Sequence, residues 1–192
     1  MKEEIRDKIL DIGVDLIAQK GYNGIGIQEV LDNAQIPKGS FYHYFKNKED
    51  FGLQVIQRHG SNSLRYIDSF LSDTALSPLQ RIFALFEDIQ NVYEKKEFKE
   101  GCLLGNCSTE LADQKECFSS TLENEFLKME NQFIVCLKEA KNNGELKTEV
   151  SPEELASFIV NSWEGAILRT KSIKSNEPMK ILVKFLRTQI LV

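Results

Sequence analysis

From Asn33 through Lys48 the chain carries no acidic residue, while Lys38, Lys46 and Lys48 bring three positive charges and His43 a fraction of a fourth. Within this stretch Phe41 and Phe45 are four residues apart, the spacing that stacks two side chains on one face of a helical turn. With those two turned inward, Lys38, Gly39, Ser40, Tyr42 and His43 are left to meet a partner. Gly39 and Ser40 permit close backbone approach. Lys38 and Tyr42 suit phosphate oxygens, His43 or Lys38 suit base edges, and Lys48 stands at a helix start whose unpaired amides also favour a phosphate. That is the chemistry of a nucleic-acid contact. The net charge of −5, from 24 basic and 29 acidic residues, argues the other way only as an average, because phosphates are met by a local face. A small core with a solvated rim is the plainer reading of the same residues, but it gives no role to Tyr42 and Tyr44, which lie off the Phe41–Phe45 face.

No other grouping supports catalysis or metal binding. The four cysteines, Cys102, Cys107, Cys117 and Cys136, include no C-x-x-C pair that would suggest zinc, and without an export signal they are expected as reduced thiols. Cys107 follows Cys102 by five positions, ~140° around a helix, which sets a direct disulfide between them aside. His43 and His59 are the only histidines, both in the N-terminal third, so Cys-His and Ser-His pairs lack a partner. The acid pairs Glu3-Glu4, Glu49-Asp50 and Glu153-Glu154 are adjacent rather than facing, as suits helix N-termini. The expectation is a protein without catalytic residues, metal ligands or cofactor. Two rivals remain: a thiol-dependent helical enzyme with Cys102 as nucleophile, which turnover would reveal, and a helical adaptor with a degenerate DNA-binding motif, which would bind no duplex.

The elements that must position these residues read as helix after helix. Strand alternation is absent, whereas Ile5, Ile9, Ile12 and Leu16 draw one apolar stripe on a helix that Gly21 can end. A short helix from about Ile27 to Asn33 and a third beginning near Pro37 follow at once. Two short helices behind a core helix make a helix-turn-helix, whose second helix lies in the major groove. Asn47 and Asp50 resemble a capping box opening a long helix, and Ser77-Pro78 opens another. Cys102 to Ala112 forms a short helix, and Phe118 to Leu137 marks a long one stopping near Asn143-Gly144. Ser151-Pro152-Glu153-Glu154 combines an N-cap serine, a proline at the first helical position and a glutamate two residues later. The fold class expected is all-α, with about nine helices: a helix-turn-helix module over residues 1–47 and a helical bundle over residues 48–192. The longest apolar run, Phe133 to Leu137, is far below the ~20 residues of a membrane span, so a cytoplasmic location is expected. The last two helices, about Pro152 to Lys174 and Pro178 to Gln189, carry apolar residues on more than one side (Ile159, Trp163 and Ile167, then Leu182, Val183, Phe185 and Leu186), as a symmetric dimer interface would need.

Through Gly21-Tyr22, Ile27-Gln28-Glu29-Val30 and the run PKGSFYHYFKNKEDF from Pro37 to Phe51, the sequence resembles the TetR family of bacterial transcriptional regulators. The resemblance implies a dimer that binds operator DNA through Gln28, Lys38, Gly39, Ser40, Tyr42, His43 and Lys48, and that a small-molecule effector releases. Members often carry Thr or Ser before the second helix for a phosphate contact, and here Ile25 and Gly26 stand instead. Together with the first motif, GCLLGNCSTELAD looks like the NemR-type branch, regulators that sense electrophiles. This implies Cys102 as the sensor, its helix-start position favouring thiolate, with Lys171 as a cation that would help. The alternative for Cys102 is a small buried hydrophobe. Phe83, Phe86, Tyr93, Phe126, Phe133 and Trp163 are core aromatics by default. The family implies that some of them, Phe126 and Trp163 among them, line a cavity for a noncovalent ligand.

Overall fold

The computed structural model describes residues 2–192, with the side chains of Lys2 and Lys38 outside the described set. The architecture is all-α: α1 (Lys2–Lys20), α2 (Ile27–Ala34), α3 (Lys38–Phe41), α4 (Lys48–Leu71), α5 (Pro78–Lys95), α6 (Leu103–Leu111), α7 (Glu116–Asn142), α8 (Pro152–Ile173) and α9 (Glu177–Phe185), the last continuing as a wider π-helical turn over Leu186–Ile190. No strand occurs among the described residues. The chain gathers into two compact units, one of Met1–Asn62 with Cys102–Glu125, the other of Ser63–Gly101 with Phe126–Val192.

In the first unit α1 stops where Gly21 turns left-handed at φ 76°, its amide donating to Ile17 O at 2.9 Å. α2 runs eight residues and ends on Gln35, also left-handed, at φ 58°. Pro37 then sets the entry to α3, which is regular over four residues and continues as tight turns, with the Phe45 amide donating to Phe41 O at 3.0 Å. The helix expected here is therefore short. An aromatic cluster holds it: Phe41, Phe45 and Phe51 are at most 1% exposed, with ring centroids between 5.0 and 5.6 Å apart. Such edge-to-face and tilted pairs add to the burial of each ring. At the start of α4 Asn47 Oδ1 accepts from the Asp50 amide at 2.8 Å, but the expected box is only half formed. The Asp50 carboxylate accepts instead from the Lys46 amide at 2.8 Å and from Gln54 Nε2 at 2.9 Å.

In the second unit the Ser151 cap is reciprocal, as the sequence predicts: Ser151 Oγ accepts from the Glu154 amide and Glu154 Oε2 accepts from the Ser151 amide, both at 3.2 Å. Phe86 packs between Trp163 (4.6 Å between centroids) and Phe133 (5.9 Å). Arg81, 6% exposed, donates to Leu71 O, the last carbonyl of α4, to Leu76 O in the loop before α5, and to both oxygens of Glu139. The apolar faces of the last two helices divide differently from the sequence expectation. Ile159, Trp163, Ile167, Val183 and Leu186 all face the core, and Leu182 is half-buried. Facing outward are Phe158 and Leu168 on α8, and Ile181 and Phe185 on α9, between 46 and 67% exposed. The reason is register: Val183 and Leu186 share one side of α9, Ile181 and Phe185 the other. Leu186, with no exposure, opens the wide turn, whose end the Leu191 amide closes on Leu186 O at 2.8 Å. No helix among the described residues is long and apolar enough to cross a membrane.

Candidate nucleic-acid interface and sensing residues

The first unit presents one edge built by α2, α3 and the turns after α3. Tyr42 is 58% exposed, Gly39 and His43 are exposed, and Ser40 is half-buried beside the sunken Phe41 and Phe45. The side chain of Lys38 lies outside the described residues. At Gly39 nothing stands within 4 Å of the position a Cβ would take, so that stretch of backbone is open to an approaching surface. Gln28 is exposed on α2, its Nε2 donating to Asp32 Oδ1 at 2.7 Å. Nearby acids are engaged. Glu29 pairs with Lys20, and Glu49 pairs with Lys115, whose ammonium holds the Glu49 carboxyl below its ordinary range.

Lys48 is the first residue of α4, but its ammonium reaches the entrance to α2. Nζ donates to Ile25 O at 2.6 Å and lies 4.6 Å from the centre of the Tyr22 ring. Burial lowers its affinity for the proton, with the Glu110 charge opposing. The charge therefore sits beside Gly26, the N-cap of α2, which supplies no side-chain cap to the free amides of that helix. This is where the family's hydroxyl is missing, and the cation and unpaired amides together still favour an anion there. Burial, with Glu49 next in effect, pushes the Tyr22 hydroxyl up to about 12, so Tyr22 is a neutral packing residue.

Of the sensing residues, Cys102 belongs to the first unit and Phe126, Trp163 and Lys171 to the second. Cys102 is half-buried and is the N-cap residue of α6, its carbonyl accepting from the Asn106 amide at 2.9 Å. All four cysteines are thiols. Burial pushes both Cys107 and Cys136 up to about 12, which keeps them protonated and unreactive at neutral pH. Cys117 is half-buried with its Sγ 3.6 Å from Glu49 Oε1. Trp163 is a core residue at 8% exposure, whereas Phe126 and Lys171 are half-buried. Among the described residues no group of three or more His, Cys, Asp or Glu is placed to hold a metal ion.

Two residues of the first unit have roles that the sequence does not announce. Glu110 accepts from the Tyr22 amide at 2.8 Å and the Asn23 amide at 2.6 Å, while Tyr22 packs edge-on against Phe118 at 5.4 Å. A separation of 88 residues gives no local signal for such a pair. Tyr22, beside Gly21, is visible in the sequence only as part of a motif.

Comparison with known proteins places these features in context. The model of the bacterial regulatory proteins of the tetR family matches residues 9–55, and that of the tetracyclin repressor-like C-terminal domain matches residues 78–186. The HTH-type transcriptional repressor DhaR of Mycobacterium sp. (strain GP1) is 34% identical over 91% of this chain and 86% of its own length. The HTH-type transcriptional repressor NemR of Escherichia coli (strain K12) is 31% identical over 93% of this chain and 90% of its own. The crystal structure of the reduced form of E. coli NemR aligns at a TM-score of 0.89 and 28% identity, covering 98% of this chain and 97% of that one.

Proposed function

The chain belongs to the TetR family of DNA-binding transcriptional regulators, and from that premise we propose that it is a one-component repressor that binds operator DNA as a homodimer and is released by a small-molecule effector or by modification of Cys102. The observation that carries this reading is the acid-free edge of exposed Gly39, Tyr42 and His43 with half-buried Ser40, raised on the buried Phe41–Phe45 pair. Residues 1–47 form the DNA-reading module, with Gln28, Lys38 and Lys48 adding contacts around that edge, and residues 48–192 form the sensing and dimerisation module. The regulator works in the cytoplasm.

Dimerisation is supported by the outward apolar side chains of α8 and α9. Phe158, Leu168, Ile181 and Phe185 are large and exposed, and Gly165, between the first two, has nothing within 4 Å of its Cβ position, so a second helix can approach closely there. The same patch on both copies gives an isologous contact, and a dimer reads two half-sites when its recognition helices stand ~34–36 Å apart. An effector that favours another spacing weakens DNA binding by its differential affinity for the two states. For release through the thiol, the support is that Cys102 is half-buried at the start of α6 whereas Cys107 and Cys136 are held protonated. Lys171, Phe126 and Trp163 are the further sensing candidates.

Fluorescence anisotropy with a cognate duplex tests the assignment. Tyr42→Ala and Lys48→Ala weaken binding while sedimentation still shows a dimer, and Lys48→Ala lowers the salt slope by ~0.9 for each phosphate it leaves unneutralised. Unchanged affinity in both variants refutes the assigned face. N-ethylmaleimide releases the parent but not Cys102→Ser. Equal release of both moves the switch to a noncovalent ligand among the aromatics of the second unit.

A further inference from the structure

The turn between α1 and α2 is held by a side chain from α6. The Tyr22 amide donates to Glu110 Oε2 and the Asn23 amide to Oε1, at 2.8 and 2.6 Å. Gly21 makes room for this grip. It adopts φ 76°, and a Cβ on it would stand 2.9 Å from Glu110 Oε2. Successive backbone N–H groups converging on one carboxylate form the concave arrangement that holds anions, here filled by the protein's own side chain. The other side of the turn is fixed as well. Tyr22 is 8% exposed between the Phe118 ring and the Lys48 ammonium, and that ammonium bonds Ile25 O, two residues before α2 begins. Residues 21–25 thus set where α2 starts, and α3 follows from α2.

The same short helix that holds the turn carries Cys102 at its other end, eight residues or ~12 Å away at 1.5 Å per residue. Hydrogen bonds of this kind span ~2.7–3.2 Å between heavy atoms, so a displacement of α6 by about 1 Å carries both contacts, now 2.8 and 2.6 Å, out of bonding distance.

We propose that Glu110 is a positioning residue for DNA reading: it ties α6 to the α1–α2 turn through the Tyr22 and Asn23 amides, so that operator affinity depends on where α6 stands. This rests on α2 and α3 being the DNA-reading pair. The link is reciprocal. If the grip strengthens DNA binding, DNA binding strengthens the grip by the same factor.

The test uses the full chain and a duplex selected from random sequence. Glu110→Gln replaces one acceptor oxygen by an amino group that faces a donor, so only one of the two bonds survives. Its expected effect is about tenfold weaker affinity for the selected duplex, inside the ~5–150-fold range of site coupling, with affinity for unrelated duplex and the salt slope unchanged because no phosphate contact is removed. A purely stabilising role would leave the affinity of the folded molecules at the parent value, and that result overturns the proposal. Should Glu110→Gln fail to fold, hydrogen exchange in the parent decides. Duplex binding is expected to slow exchange of the Tyr22 and Asn23 amides about tenfold, and unchanged exchange at both amides overturns the proposal. A parent chain that binds no duplex defeats the DNA-reading assignment itself, whereas a parent and a Glu110→Gln variant that bind equally defeat only the role of Glu110.

Discussion

Gly39→Ala separates DNA contact from folding because the two respond with opposite sign. Gly39 is the second residue of α3, and its missing side chain would point into space where nothing stands within 4 Å. A methyl group there meets no clash in the free protein. Replacing a helical glycine by alanine stabilises by ~0.4–1 kcal/mol, mostly by restricting the unfolded chain, and at ~2–4 °C per kcal/mol for a chain of this size Tm should rise by about 1–4 °C. If the backbone at Gly39 lies against DNA, the same methyl obstructs a specific contact. One good base contact is worth ~1–3 kcal/mol per half-site. A dimer meets two half-sites, so the cost is at least ~2 kcal/mol, about 30-fold in affinity. Thermal unfolding and anisotropy on one preparation give both numbers. A variant with raised Tm and parental affinity would refute the placement of DNA against α3. A variant with lowered Tm would refute the open-space argument.

Further outcomes follow from burial. Phe41→Ala should destabilise by ~3–5 kcal/mol in urea unfolding, because it removes a ring with no exposure that touches both Phe45 and Phe51. Phe185→Asp should give a folded monomer by sedimentation, since Phe185 is 54% exposed, whereas Leu186→Asp should abolish the cooperative fold because it places a charge at a fully buried site. Above pH ~9 stability should fall: Cys107 and Cys136 move from 9.0 to about 12 on folding and Tyr22 from 10.0 to about 12, so the folded state holds protons the unfolded chain gives up. The stability from these groups is complete below pH ~9 and disappears as pH rises towards 12, and urea midpoints across that window check it.

The features legible in the sequence are those written by neighbouring residues. Ser151, Pro152 and Glu154 encode a helix start within four positions, and the cap forms as written. Phe41 and Phe45 share a face because four residues make about one turn, whatever they pack against. The Asn47–Asp50 box forms only by half, because the Asp50 carboxylate turns to the Lys46 amide, and composition does not decide between neighbouring amides. For Leu182, Val183, Phe185 and Leu186, apolar character alone leaves every side of the helix eligible for the core, and only packing selects the side that Met179, Val183 and Leu186 share. Lys48 reads as a residue of its own helix start, but its four-carbon stem carries the ammonium to Ile25. Glu110 gives no signal, since its partners are backbone amides, which every residue but proline possesses.

The most direct test of operator reading by a dimer is selection of bound sequences from a random duplex pool by the full chain, followed by affinity measured against salt. The expected result is an enriched inverted repeat whose half-site centres lie one helical turn, or a multiple of it, apart, bound by one or more dimers with affinity falling steeply as salt rises. No enrichment, or a bound sequence without two-fold symmetry, would contradict it.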